Sequence, residues 1–346
     1  TGGTTRSDGA NSTDDSGTST ISITSFPVNV DGLTNTYIDH SGILGAELDE
    51  VGYDYEMQFT FEGPPQFVAG NTEVAHDISA LEAARLTQEQ DMELAVIARI
   101  QTAFMGMHVV PGGPYDPEET GSIQATLDKV EEEDASVGIL GWGVGDVPPT
   151  QLVMQRLYDK AFFQDNSDFQ VATSSPSAMP KLVVDGELAM GSFSATHGAA
   201  SQLLNDELKP LYFGVDLLQE NGWGMPPLSD VVTTQEFLEN NREACAAIAR
   251  ALNRGTDWVY NDAIDEAPED PELRDILIAE EPEAAEYALE YHIEDGTKYS
   301  PESTTLWEDN GVTDEWVENT KTALRNVEEV DQLESGWEDR LEFVQF

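Results

Sequence analysis

The chain has 346 residues, 39% of them hydrophobic and 8% aromatic, which is enough for two domains with proper cores and unlike a disordered chain. Acidic residues number 67 against 16 basic ones, a net charge of −51, and this excludes a nucleic acid backbone or an anionic membrane surface as partner, since either needs a basic patch. Self-repulsion at such a charge weakens a compact state in dilute buffer but is screened in molar salt, where the Debye length is ~3 Å. The acid is spread over 131–134, 262–275, 280–290 and 328–340, as expected of a halophile's protein with an acidic surface.

Residues 1–20 are rich in Gly, Ser, Thr and Asp and cannot form a core. They are expected to tether a folded body to a membrane anchor in a mature chain whose signal sequence is gone, or else to be an ordinary frayed terminus. Ile21-Ser-Ile-Thr-Ser-Phe26 alternates as a strand ended by Pro27, residues 34–51 predict a helix, and Tyr53-Asp-Tyr-Glu-Met-Gln-Phe-Thr-Phe61 predicts a second strand. Gly63-Pro64-Pro65 stops that strand and opens the next helix at its first turn.

Residues 94–110 are apolar and extended and close on Pro111-Gly-Gly-Pro114, a natural place to cross between lobes. Ser136-Val-Gly-Ile-Leu-Gly-Trp-Gly143 predicts a buried strand running into a glycine-rich turn, and Pro148-Pro149-Thr150 opens an amphipathic helix carrying Leu152, Met154, Leu157 and Tyr158. Phe169-Gln-Val-Ala-Thr173 is the next strand, and the return to the first lobe is placed at 211–215 with 223–225. From Thr233 onward the chain reads as helical, without strands, and is expected to pack around the first lobe. The single Cys245 lies in an apolar helical run, which rules out an internal disulfide and suggests a buried small hydrophobe.

Two segments share one grammar of glycine turn, acidic residue, short apolar strand and Ser-Ala loop. They are Val68-Ala-Gly-Asn-Thr-Glu-Val-Ala-His-Asp-Ile-Ser79-Ala80 and Val183-Val-Asp-Gly-Glu-Leu-Ala-Met-Gly-Ser-Phe-Ser194-Ala195. Two copies in two halves of a chain predict two α/β lobes facing each other across a ligand cleft.

This order of elements resembles the periplasmic-binding-protein type II fold, and within it the nitrate, sulfonate, taurine and thiamine-precursor binding proteins of ABC importers. The matching positions are Gly70 with Val74-Ala-His-Asp77 and Ser79-Ala80, then Gly138-Ile-Leu-Gly-Trp-Gly143 leading to Pro148-Pro-Thr150, the segment 183–200, and Val231-Val-Thr-Thr-Gln-Glu-Phe-Leu-Glu-Asn-Asn241 with the Ala-rich stretch to Trp258. The resemblance covers roughly residues 20–260 and departs from the family at Ser192-Phe-Ser-Ala-Thr-His197 and at Trp142-Gly-Val-Gly-Asp146. It implies a two-lobed α/β protein with a disordered tether at 1–20, a first lobe from 21–110 and 226–346 that includes a helical C-terminal segment, and a second lobe from 111–225. It further implies a lipid-anchored, monomeric binding protein on the extracellular face of the membrane, which delivers a small solute to the transmembrane subunits of an ABC permease; with the acidic composition, a halophilic archaeon is the expected source.

Strand ends that run into helix starts present free amides and hydroxyls to a small polar ligand. The ligand-binding residues expected on this basis are Ser25, Ser79, Ala80, Trp142, Gly143, Thr150, Ser194, Thr196, His197 and Trp223, although Ser79, Thr150 and Thr196 also read as plain N-caps. Trp142, Phe193, Trp223 and His197 could sandwich a planar ligand or simply pack in the core. Gly191-Ser-Phe-Ser-Ala195 lacks the second glycine of a nucleophile elbow, and neither metal-ligand spacing nor a phosphate-binding glycine loop occurs. No catalytic residue, metal or cofactor is therefore expected. A same-fold enzyme of pyrimidine-precursor metabolism and a solute sensor remain as alternatives.

Overall fold

A computed structural model describes residues 19–26, 30–60, 62–102, 106–143, 147–193, 199–225, 227–262 and 311–346. Its strands are β1 (Ser19–Ser25), β2 (Tyr53–Phe59), β3 (Val74–Ile78), β4 (Leu94–Thr102), β5 (Gly106–Val109), β6 (Ser136–Ile139), β7 (Phe162–Phe163), β8 (Asn166–Ser167), β9 (Gln170–Thr173), β10 (Met190–Phe193), β11 (Lys209–Phe213), β12 (Pro227–Thr234) and β13 (Leu341–Phe343). One sheet has the order β13-β4-β12-β3-β1-β2 and a second has β11-β5-β10-β6-β9, while β7 and β8 form a small hairpin.

The two large sheets repeat one topology. In the first, β1, β2 and β3 are parallel and β12 runs antiparallel between β3 and β4. In the second, β6, β9 and β10 are parallel and β5 runs antiparallel between β10 and β11. Each lobe thus receives, as its one reversed strand, the segment arriving from the other.

The repeated grammar falls on equivalent elements. Helix Gly63–Val68, Gly70 at φ +73° and β3 form one copy; helix Met179–Val184, Gly186 at φ +74° and β10 form the other. Proline sits in the first turn of both helices, where its missing N–H costs nothing. Both glycines take the left-handed conformation that an L side chain resists, which ends the helix and turns the chain back to the sheet.

Apolar side chains cover both faces of the first sheet. On one face Ile21, Ile23 and Val74 pack with Ile38, Leu44 and Leu48 and with Ala244, Cys245, Ile248 and Leu252 of helix Arg242–Asn261. On the other, Phe67, Ala75 and Leu81 pack with Trp316, Leu324 and Val327 of helix Asp314–Glu329. Cys245 is buried as expected, and desolvation pushes its thiol up to about 12. The second lobe has its own core, from Met107 and Val137 to Leu152, Phe162 and Met190.

Several expectations are corrected. The predicted helix at 34–51 is two helices, Val30–His40 and Ile43–Asp49, broken at Gly42, whose φ is +73°. The turn at 111–114 is no crossing, because β5 ahead of it already pairs in the second sheet; the chain passes between sheets before Gly106. The return strand is β12, whereas residues 209–213 form the second sheet's outer strand β11. The C-terminal region is not free of strands, since β13 adds to the first sheet beside β4, with Leu341 opposite Leu94.

Candidate functional site

Registers fix where the two lobes meet. Pro227 lies opposite Thr102, so the chain leaves the first sheet and re-enters it at one edge, the edge where β1 and β3 end. In the second sheet Gly106 lies opposite both Phe193 and Phe213, so β5 enters where β10 and β11 end. The outgoing connection therefore joins the carboxyl edge of the first sheet to that of the second, and the returning chain, after helix Gly214–Glu220, enters the first sheet at the same edge. In open α/β sheets that edge is where ligands bind.

On the first lobe, the rim is dense with buried polar groups. Ser79 caps helix Ala80–Glu89 in a full capping box: its Oγ accepts the Glu82 N–H at 3.1 Å and its own N–H donates to Glu82 Oε2 at 2.9 Å. The Ala80 N–H donates to Asp230 Oδ2 at 2.7 Å, an acceptor brought by β12 from 150 residues away. Beside them Asp77 Oδ1 accepts from Thr24 Oγ1 at 3.3 Å, and the Asn35 side chain meets His76 Nδ1 at 2.7 Å. Ser229 Oγ donates to the His76 carbonyl at 3.3 Å. Gly63 lies against the Asp77 carboxylate so closely that a Cβ there would stand 1.7 Å from Oδ2. Among the described residues, Asp77 Oδ2, Asp230 Oδ1 and His76 Nε2 are buried with no hydrogen-bond partner.

Burial drives these groups toward their neutral forms. Desolvation raises Asp77 to about 7 and Asp230 to about 8, against the opposing Thr24 hydrogen bond in the first and the Ala80 amide and Arg99 charge in the second. It lowers His76 and His108 to about 3. A raised carboxylate keeps its proton in the folded chain after the unfolded chain, with a pKa of ~4, has lost it, so its contribution is lost as pH climbs through 7 to 8. A depressed histidine is neutral when folded but protonated when unfolded below a pH of ~6.5, so its contribution is lost as pH falls. The two pairs oppose each other between pH ~4 and ~6.5, and the carboxylates act alone from ~6.5 to ~8. Melting temperature at fixed molar salt is expected to hold nearly level over the first interval and fall over the second, with Asp77→Asn removing part of the fall. A melting temperature that rises over the second interval contradicts this assignment.

Ser25 and Ala80 do sit at the carboxyl edge, both fully buried, with Ser25 Oγ donating to the Phe26 carbonyl at 3.3 Å. The Ser79 oxygen accepts from its own helix as an N-cap. Ser79→Ala is accordingly expected to cost ~1 kcal/mol of stability, the usual value of an N-cap, and to leave solute affinity in molar salt nearly unchanged; a loss of affinity without a loss of stability would return Ser79 to the ligand contacts.

The second-lobe residues scatter more widely. Trp142 tilts onto Phe162 with ring centroids 5.4 Å apart and packs against the lobe's core, and Gly143 beside it is exposed. Thr150 is no cap: it lies inside the first turn of helix Val147–Tyr158, 6% exposed. Trp223 stacks under the Arg156 guanidinium at 5.2 Å, and its carbonyl accepts from Asn326 Nδ2 at 3.4 Å, which makes it part of the connection between lobes. Ser194, Thr196 and His197 lie outside the described residues. Phe193 is buried and stacks on His108 with centroids 4.3 Å apart.

The sequence reading passed over Asp230 and Asp77 as site residues. Their signal was an acid inside an apolar strand, in Ser229-Asp-Val-Val232 and in Val74-Ala-His-Asp-Ile78, since a buried carboxylate needs a partner or a proton.

No family model matches the chain, and no curated protein matches it in sequence. Solved structures do match. The periplasmic aliphatic sulphonate binding protein of Escherichia coli superposes with a TM-score of 0.62 at 10% identity, over 93% of this chain and 96% of that one. The fold is the two-lobed, type II periplasmic-binding-protein fold. A ligand-binding component of an ABC-type import system from Staphylococcus aureus, solved with zinc bound, gives a TM-score of 0.59 at 13% identity, over 93% and 96% of the two chains. The periplasmic nitrate-binding protein of Synechocystis gives 0.53 at 14% identity, over 76% of this chain and 66% of that one. Among the described residues here, no group of three or more His, Cys, Asp and Glu side chains is placed to hold a metal ion, and no helix is long and apolar enough to cross a membrane.

Proposed function

We propose that this chain is an extracytoplasmic solute-binding protein that captures a small molecule between its two lobes and delivers it to the permease of an ABC importer. The carrying observation is the pair of sheets of like topology between which the chain leaves and re-enters the first at its carboxyl edge and enters the second at its own. Contacts from two such edges divide the binding energy between lobes, so a solute that touches both favours the closed form over the open one. Trp142, Gly143, Ser194, Thr196 and His197 are kept as the surrounding surface on which that solute rests, with Trp223 and the buried Ser25, Ser79, Ala80 and Thr150 holding the framework.

The neighbours' names support this reading: three of them are a sulphonate binder, a nitrate binder and a component of an import system. A binding protein has no chemistry to perform on its cargo. The first lobe and the C-terminal elements form one folded body, the second lobe moves against it, and the residues ahead of β1, which lie outside the described residues, serve as the tether to a lipid anchor on the outer face of the membrane; the expected tether of 1–20 is shortened because Ser19 and Thr20 already pair in β1. An acidic surface adapted to high salt completes the proposal.

Mass spectrometry of the small molecules that co-purify with the protein tests it. One compound is expected at close to one equivalent, and that compound is expected to be recovered unaltered after prolonged incubation. A protein-dependent product favours a same-fold enzyme, and the absence of any saturable small-molecule binding removes the role.

A further inference from the structure

A helix start beside the carboxyl edge of a sheet ordinarily suits an anion, because its amides point outward and its dipole favours negative charge. Helix Ala80–Glu89 is such a helix, but its start is filled from within. The amides of Ser79, Ala80 and Glu82 donate to Glu82 Oε2, Asp230 Oδ2 and Ser79 Oγ, at 2.9, 2.7 and 3.1 Å. Asp230 is fully buried and lies opposite Arg99 in the β4–β12 register, so the Arg99 charge faces a carboxylate already in place.

At this edge Asp230 Oδ1 is buried without a hydrogen-bond partner among the described residues; Asp77 Oδ2, likewise unpartnered, is packed against Gly63. An unmet buried carboxylate oxygen costs free energy that a donor can recover. Once ionised, above about pH 8, these carboxylates repel an oxyanion, which also offers them no donor, whereas an N–H group or a charged nitrogen offers a donor and, when charged, attraction.

We propose that the first lobe rejects oxyanions and selects a solute carrying N–H donors or a positively charged nitrogen, with the Asp230 carboxylate occupying the place an anion would take. The selection rests on the solute-binding reading above and narrows it. It also parts this chain from the sulphonate and nitrate binders whose fold it shares. The raised proton affinities of Asp77 and Asp230 fit this arrangement, since a cationic nitrogen arriving beside them favours ionisation and expels a proton.

The test is a calorimetric titration of the full chain in molar KCl with ethanesulfonate and with nitrate, beside identification of the co-purified solute. Neither anion is expected to bind the wild-type protein saturably, and the co-purified solute is expected to contain a protonatable or N–H-bearing nitrogen. Asp230→Ala empties the helix start and is expected to gain about tenfold or more in ethanesulfonate affinity, the scale of a helix-terminus charge interaction. Saturable binding of either anion to the wild-type protein, or a co-purified oxyanion without such nitrogen, overturns the proposal while leaving solute binding intact. A folded Asp230→Ala protein with no gain in anion affinity also overturns it. Should that variant not fold, the wild-type titration decides alone. Absence of any solute counts against the binding role itself.

Discussion

Raising salt from dilute buffer to molar KCl is expected to lift the melting temperature of this protein by ~10 °C or more, which corresponds to about 3–5 kcal/mol for a domain of moderate size. The 16 basic residues cannot neutralise 67 acidic ones, and the structure shows those cations shared out. Lys160 bridges Asp128 and Glu131 at 2.7 and 2.5 Å, and Lys209 bridges Asp116 and Glu118 at 2.5 and 3.1 Å. Arg325 pairs with Glu338 at 2.8 Å, and Arg340 pairs with Asp91. The exposed pairs contribute only ~0–1 kcal/mol each, and the more buried pairs of Lys160 and Lys209 spend much of their attraction on desolvation, so together they do not offset the long-range repulsion of the surplus carboxylates. Counterions screen that repulsion once the Debye length falls to ~3 Å. Circular dichroism melts at the two salt levels decide the matter, and equal melting temperatures would remove the argument from charge.

Gly224→Ala is the single substitution expected to do the most damage, about 3–5 kcal/mol from backbone strain and overpacking combined. Gly224 holds φ at +84° where the chain returns from the second lobe, and a Cβ there would stand 2.2 Å from the Asn319 carbonyl oxygen and 2.5 Å from the Ala323 nitrogen. Both clashing atoms belong to the backbone of helix Asp314–Glu329, so neither can rotate away. The next residue ties the same place down, with the Met225 N–H donating to the Asn319 carbonyl at 3.1 Å. Gly222 supplies the control, since its φ is +70° but no atom lies within 4 Å of its would-be Cβ. Gly222→Ala is expected to cost only the ~1–2 kcal/mol of a left-handed L residue. Equal losses in the two variants, read from chemical denaturation in molar salt, would show that the contact with the C-terminal helix contributes nothing.

That helix also bears on motion between the lobes. Arg156 of the second lobe donates to Asn326 Oδ1 and Glu329 Oε2, each at 2.6 Å, while its guanidinium covers Trp223. Trp316, Leu324 and Val327 of the same helix are packed in the first lobe's core. The return connection is therefore held from both sides in the described state.

The doubled architecture was legible in the sequence because each copy of the motif needs the same physical parts: a glycine able to turn left-handed, an acidic residue, and an apolar strand ended by a Ser-Ala loop. The alternating residues of β2 were legible for a similar reason, since an edge strand shows the sheet one face only. The return strand was missed because Pro227–Thr234 carries Ser229 and Asp230 inside an apolar run and passes directly into helix Gln235–Asn240, so its period reads equally as the approach to a helix. β13 is three residues long, and its place beside β4 depends on a partner more than two hundred residues earlier, which no local pattern encodes. Asp230 was invisible as a partner of Ala80 for the same reason. The hydroxyl of Ser79 was visible, but sequence alone does not separate a capping box from a ligand contact, because both use Ser followed by Glu three residues on.

The central claim is that two lobes close around one solute, and small-angle X-ray scattering in molar salt tests it most directly. Protein stripped of its co-purified solute is to be measured alone and then with that solute restored to saturation. The account predicts a fall in the radius of gyration that saturates with the same affinity as binding. A radius unchanged while the solute binds to saturation would contradict it.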